Sequence, residues 1–214
     1  ALNGGGPIGT TPSPASAFYA VEQISFEAGP TGLANQGPTG DDQLLANVPI
    51  GFDFEFYGTS YSTVHISSNG FLRFGQPSGD SGCCSGRPIP LDDSWNNIIA
   101  FAWTDMNPAH AATGEMRYET FGTAPNRRFV LHVDDVTIWP NSDPRVTLWV
   151  TLHEGSNVVE IHTDFLIPGS QNVTQGIENA DGTDAAFVEG RVATVFSLED
   201  DGVRFTPVQV NTVE

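Results

Sequence analysis

The chain has 214 residues, with 26 acidic side chains against 8 basic ones and a formal net charge of −18. That charge repels nucleic acid and anionic membranes and welcomes hard cations such as Ca²⁺, which gather carboxylate and carbonyl oxygens. The length suits one large β domain or two small ones with a core of their own, and no apolar run is long enough to span a bilayer.

The start at Ala1-Leu2-Asn3 lacks Met and any leader pattern, so the chain is expected to be a monomeric module cut from something longer. Residues 1–48 are rich in Gly, Pro, Ser, Thr and Ala, and the irregular part is set at residues 1–45. Gly4-Gly5-Gly6-Pro7 and Thr11-Pro12-Ser13-Pro14 exclude regular elements. An irregular segment packing on the main body is expected there, with one strand between Phe18 and Phe26. Gly40-Asp41-Asp42 reads first as a turn and second as one side of a cation site.

From Val48 the pattern becomes strand-like. Phe52, Phe54 and Phe56 alternate with Asp53 and Glu55, the period of a half-buried strand. Val64 and Ile66 predict the next strand, with His65 on its other face. Ser68-Asn69-Gly70 is a hairpin signal, and Phe71 to Phe74 returns. Residues 75–97 form a long loop, and such loops inside a domain are usually functional. Asn97 to Trp103 is an unbroken apolar run and predicts a fully buried strand. It ends in Thr104-Asp105-Met106-Asn107, polar groups held rigid by the strand before them.

Further strands are predicted over Glu115–Phe121, Phe129–Asp134, Val146–His153 and Val159–His162. Closing strands are expected over Val192–Leu198 and Gly202–Phe205. No stretch keeps a 3.6-residue period. The fold class is therefore all-β, a single antiparallel β-sandwich, jelly-roll-like, with long loops and little helix.

The long loop holds the two cysteines of the chain, as neighbours, in Gly82-Cys83-Cys84-Ser85-Gly86-Arg87-Pro88. Adjacent Cα atoms sit about 3.8 Å apart, whereas ordinary disulfides want roughly 4.4–6.8 Å, so a bond between neighbours closes a small strained ring. Such a ring would present an apolar sulfur edge as the floor of a binding pocket. The alternative is two free thiols in a loop; an oxidising compartment favours the bond.

Catalytic patterns are weak. Gly79-Asp80-Ser81-Gly82 matches the surroundings of a chymotrypsin-type serine, yet His65 is the one histidine before it and stands inside a strand. No histidines are spaced as metal-ligand pairs and there are no separate cysteine partners, so zinc is not expected. An enzyme is not expected either. Oxygen clusters suit calcium better: Asn179-x-Asp181-Gly182-x-Asp184, Asp105 with Asn107, and Asp92 with Asp93. The first also reads as an Asx-rich turn.

The series Phe56-Tyr57-Gly58, Ile66-Ser67-Ser68-Asn69-Gly70-Phe71, Gly82-Cys83-Cys84-Ser85-Gly86, Trp103-Thr104-Asp105 and Gly176-Ile177-Glu178-Asn179 resembles a domain of large secreted bacterial proteins. Part of it is shared with nidogen-like domains. The chain is similar, over roughly residues 45–205, to the calcium-dependent peptide-binding domain of RTX-type adhesins. The resemblance implies a secreted or cell-surface β-sandwich that captures free C-terminal ends of peptides on a host or neighbouring cell, with Ca²⁺ taking part. An anionic peptide end needs a positive centre on so acidic a protein. A Ca²⁺ with an open position, or Arg87, would supply it. The expected ligand-binding residues are Cys83, Cys84, Ser85, Gly86, Arg87, Trp103, Asp105, Gln175, Glu178 and Asn179. The expected metal ligands come from Asp92, Asp105, Asn107, Glu178, Asn179 and Asp181. Two rivals stay open: a Ca²⁺-dependent carbohydrate-binding module, with Trp103, Trp95 or the sulfur ring stacking on a sugar, and a structural spacer that binds nothing.

Overall fold

The computed structural model describes residues 16, 18–76, 81–140 and 143–208. The expectations for the first fifteen residues, and for Gly79 and Asp80, fall outside them. Thirteen strands are described: β1 (Tyr19–Ser25), β2 (Asn35–Gln36), β3 (Leu44–Phe56), β4 (Thr59–Ser67), β5 (Phe71–Arg73), β6 (Ile98–Trp103), β7 (Glu115–Phe121), β8 (Arg128–Thr137), β9 (Arg145–His153), β10 (Val159–Ile167), β11 (Thr174–Glu178), β12 (Ala185–Phe187) and β13 (Leu198–Pro207). No helix occurs among the described residues.

The strands form two antiparallel sheets, ordered β1-β13-β10-β9-β8-β7-β2 and β12-β11-β6-β5-β4-β3. They pack face to face as a β-sandwich. In β3, Val48, Ile50, Phe52, Phe54 and Phe56 are buried and their neighbours exposed, as the alternation requires. Their partners across the sandwich include Phe129, Leu131 and Val133 of β8 and Leu148 and Val150 of β9.

β8 and β9 are buried on both faces. The connection from β1 to β2 lies over their outer side, where Leu33 and Phe26 cover Val130 and Trp149. The Trp149 Nε1 donates to the Pro30 carbonyl at 2.9 Å, and the His132 ring stacks on the indole at 4.5 Å between centroids. Trp149 therefore packs, as its place on a strand face suggests.

One expectation is corrected. Val192–Leu198 is not a strand. It makes one isolated bridge, Val173 to Thr194, and β13 begins only at Leu198. The reason is local: Ala193 has a positive φ and its N–H donates to the Thr174 hydroxyl, so the chain is bent around β11 rather than extended. β6 is a fully buried strand, as expected, and carries an irregularity. Trp103 faces Thr174 and Ala100 faces Gly176, three steps on β6 against two on β11. This is a β-bulge. The N–H groups of both Phe101 and Ala102 donate to the Gly70 carbonyl, at 3.0 and 3.1 Å.

Candidate functional site

The bulge positions the site. Phe101 and Ala102 both join the sandwich core, and the extra residue turns Trp103 to the outer side of the sheet. There Trp103 packs with Phe71, Ile98 and Ala100, and half-buried Trp95 closes over them. This small outer cluster is the base on which the cysteine loop lies. The Trp103 Nε1 donates to the Gly82 carbonyl at 2.7 Å. Gly82 has a φ of +71°, and a Cβ there would stand 2.5 Å from the Phe71 ring. A Cβ on Gly86 would stand 2.5 Å from the Thr174 nitrogen and 2.6 Å from the Trp103 carbonyl oxygen. The loop presses so close that neither position admits a side chain without a shift. It then runs along β11: the Arg87 carbonyl accepts from the Thr174 hydroxyl at 2.6 Å, and the Leu91 N–H donates to Glu178 Oε1 at 2.6 Å.

Cys83 and Cys84 are joined as a vicinal disulfide, so the bonded alternative holds. Cys83 is half-buried and Cys84 exposed. Around them gather two acidic groups distant in sequence. One ligand atom each from Asp42, Cys83, Cys84 and Asp105 lies within 4.8 Å of every other. Asp42 stands on the turn after Gly40, held by the Asn69 Nδ2 at 2.8 Å. Asp105 follows the bulged strand and is 8 % exposed. Burial, and then the nearby charges of Asp41 and Asp42, push its carboxyl up to about 6. Asn107 bonds the Asp41 carboxylate at 3.2 Å, fixing the neighbouring acid. None of the described ion pairs reaches Asp41, Asp42 or Asp105. The fully buried Asn69 has no hydrogen-bond partner for its Oδ1 among the described residues. Carboxylates crowded without a counter-charge, beside an unsatisfied buried oxygen, are a donor set that suits a hard cation.

The other expected residues do not converge there. Trp103 faces Thr174 at one end of the β6–β11 pair, and Ile98 faces Glu178 at the other, roughly 15 Å away at about 3.3 Å per residue. Glu178 is 2 % exposed, and burial pushes its carboxyl up to about 7, with Asp93 and Asp92 adding to the effect. The Asn179 Oδ1 accepts from the N–H groups of Thr183 and Asp184, at 2.9 and 3.1 Å, closing the Asx turn. The Thr183 hydroxyl bonds Asp181 at 2.6 Å and holds that carboxyl below its ordinary range. Asn179 and Asp181 line a separate hollow with Phe18, Tyr57 and Tyr61. Asp92 is exposed and packs its backbone against Gly182.

Gln175 is 1 % exposed. It accepts from Arg191 at 2.8 Å and donates to the Phe101 carbonyl at 3.2 Å, so its amide is used inside the protein. Trp103, 1 % exposed, supports the loop from beneath. Arg87 pairs with Asp93 at 2.9 Å and lies 3.8 Å over the Trp95 ring. Ser85 is exposed beside the disulfide and Gly86 buried. Ser81 is buried near Asp42, 3.5 Å from Oδ1, and no histidine bond to its hydroxyl is described. The contributions of Asp42 and Asn69 escaped the sequence. Their signals were Gly40-Asp41-Asp42, favoured there as a turn, and the hairpin Ser68-Asn69-Gly70.

A two-sheet scaffold with a disulfide-bearing loop on its outer face is of a kind suited to oxidising surroundings. The family model described as NIDO related matches residues 17–212, almost the whole chain, and the chain belongs to this family. Membership points to an extracellular protein. No curated protein and no solved structure matches the chain. Among the described residues no helix is long and apolar enough to cross a membrane.

Proposed function

We propose that the disulfide end of the sandwich is the recognition surface of an extracellular binding domain, the ligand-capturing part of a cell-surface adhesin. Its guest is the free C-terminal end of a peptide, and Ca²⁺ mediates the contact. The observation that supports this most is the convergence of Asp42 and Asp105 on the paired sulfurs. Asp42, Asp105 and Asn69 Oδ1 would hold the ion. Bound Ca²⁺ supplies a positive centre to which a peptide carboxylate is drawn. The exposed Cys84 and Ser85 would meet the side chains or backbone beside it.

In this reading Asp105 is kept from the expected ligands, while Asn107 bonds Asp41 and Asn179 closes its own turn. Calorimetry with peptides that end in a free or an amidated carboxyl group, in Ca²⁺ and in chelator, tests the reading. Binding is expected for the free end in Ca²⁺ alone. Equal binding of both peptides would reject it.

One observation favours a second reading. Trp139 is 50 % exposed, and its backbone N–H donates to the Asp105 carbonyl at 2.7 Å. An open indole on a residue tied through its backbone to Asp105 offers a stacking face for a sugar ring. A glycan array in Ca²⁺, with Trp139→Ala as control, separates a carbohydrate ligand from a peptide.

A further inference from the structure

The same four side chains carry a second consequence, because sulfur changes its donor character with oxidation state. A disulfide sulfur is neutral and a poor metal ligand, whereas a thiolate is a strong one. We propose that reduction of Cys83–Cys84 turns this end of the domain into a thiolate–carboxylate site for Zn²⁺ or Cd²⁺, built from Cys83, Cys84, Asp42 and Asp105. The site goes beyond peptide recognition and does not depend on it.

The spacing of the ligand atoms favours it. All four already lie within 4.8 Å of one another. In a tetrahedral zinc site, bonds of about 2.3 Å to sulfur and about 2.0 Å to oxygen set the ligand atoms roughly 3.3–3.8 Å apart. Once the S–S bond is broken, the sulfurs part to that spacing and the carboxylates close in by about 1 Å. Asp42 and Cys84 are exposed and can make that adjustment by side-chain rotation. An independent feature marks the same place. The buried Asn69 amide bonds Asp42 through Nδ2, yet its Oδ1 has no partner among the described residues, a polar group set beside the cluster.

The histidine pattern and the single pair of cysteines argue against zinc when the sequence is read alone. The fold changes that by bringing two carboxylates from distant loops to the sulfurs. In chemical terms, a dithiol or phosphine reductant supplies two electrons. The S–S bond breaks; a dithiol passes its own two protons to the two thiols and leaves as its disulfide, whereas with a phosphine one water gives two protons to the thiols and its oxygen to the phosphine oxide. The divalent ion then displaces both thiol protons to solvent. Two thiolates and two carboxylates surround it, with no further oxidant or reductant needed. Ca²⁺, a hard ion, gains nothing from sulfur, so the oxidised domain suits Ca²⁺ and the reduced one suits the softer ions.

The test is an anaerobic Cd²⁺ titration of the whole chain, oxidised or reduced with a phosphine that is then removed. The readout is the ultraviolet thiolate-to-cadmium charge-transfer band. One Cd²⁺ per chain is expected for the reduced protein, and no band for the oxidised one. Asp42→Asn, on an exposed turn, is expected to weaken Cd²⁺ at least tenfold while leaving the thiol count and far-ultraviolet circular dichroism unchanged. Cys83→Ser with Cys84→Ser abolishes the band. Equal Cd²⁺ affinity in reduced wild type and Asp42→Asn would overturn the proposal. So would one Cd²⁺ shared by two chains, or no band on reduction. Peptide binding by the oxidised protein in Ca²⁺ is read separately, so failure of one reading leaves the other standing.

Discussion

The two ends of the β6–β11 pair look alike in sequence and differ in physics. Each carries acids, amides and glycine turns. At the Glu178 end the polar groups answer one another: Glu178 takes the Leu91 N–H, Asn179 takes two N–H groups of its own turn, and Asp181 takes the Thr183 hydroxyl. At the Trp103 end the carboxylates take amide and hydroxyl bonds but no described ion pair, with Asp42 and Asp105 crowded on the sulfurs and Asn69 Oδ1 without a partner among the described residues. An oxygen-rich loop is a candidate for an ion only when its oxygens are not already used by its own backbone.

Each end can be disabled separately. The largest effect is expected at Trp103. Trp103→Ala empties the base of the cysteine loop and removes the indole hydrogen bond to the Gly82 carbonyl, at a cost of about 4 kcal/mol in urea denaturation. Loss below about 1 kcal/mol would show that the loop does not rest on this indole.

Next comes Glu178. Its carboxyl is raised to about 7 in the fold against an ordinary 4.5, so the folded protein holds a proton that the unfolded chain has released. Stability therefore falls as pH rises from about 4.5 to about 7 and then levels, by as much as about 3 kcal/mol from this group. Asp92 and Asp93 face it, and Arg87 is already paired to Asp93. Glu178→Gln keeps an acceptor for the Leu91 N–H and should remove most of that slope. An unchanged pH–stability curve in the variant would contradict the assignment.

The third prediction concerns the ion. At a Ca²⁺ concentration near one hundred times its dissociation constant, mass action adds about 2.7 kcal/mol to wild-type stability. Asp42→Asn should lose this melting-temperature rise, while in chelator it costs no more than about 0.5 kcal/mol. The smallest effect is expected for Asn179→Ala. It opens a satisfied turn for about 1 kcal/mol and should leave the Ca²⁺ response intact. A Ca²⁺ response lost in Asn179→Ala and kept in Asp42→Asn would reverse the roles of the two ends.

Much of the scaffold was legible in the chain. The alternation at Phe52, Phe54 and Phe56, and the paired runs from Phe129 to His162, predict strands that the sandwich contains. The cysteine loop was also legible, because two adjacent cysteines between glycines stand out in a chain that has no further sulfur pair to offer. What escaped was long-range. Nothing near Asp42 says that it meets Asp105, because that meeting depends on the β4–β5 hairpin and the pairing of β5 with β6. The bulge escaped for a different reason. Ile98 to Trp103 is apolar throughout, so periodicity cannot report the residue at which one side chain changes face. Val192–Leu198 misled because its apolar residues serve a bent segment.

The added residue in β6 also divides labour along the chain. Phe101 and Ala102 keep the interior intact, while Trp103 with Phe71 and its neighbours carries the loop outside. Residues 83–85 and 90–92 can therefore vary with little penalty to the sandwich, as long as the indole and the two tight glycines remain. One scaffold of this design can host a repertoire of specificities, its frame and its fingertips free to change at different rates.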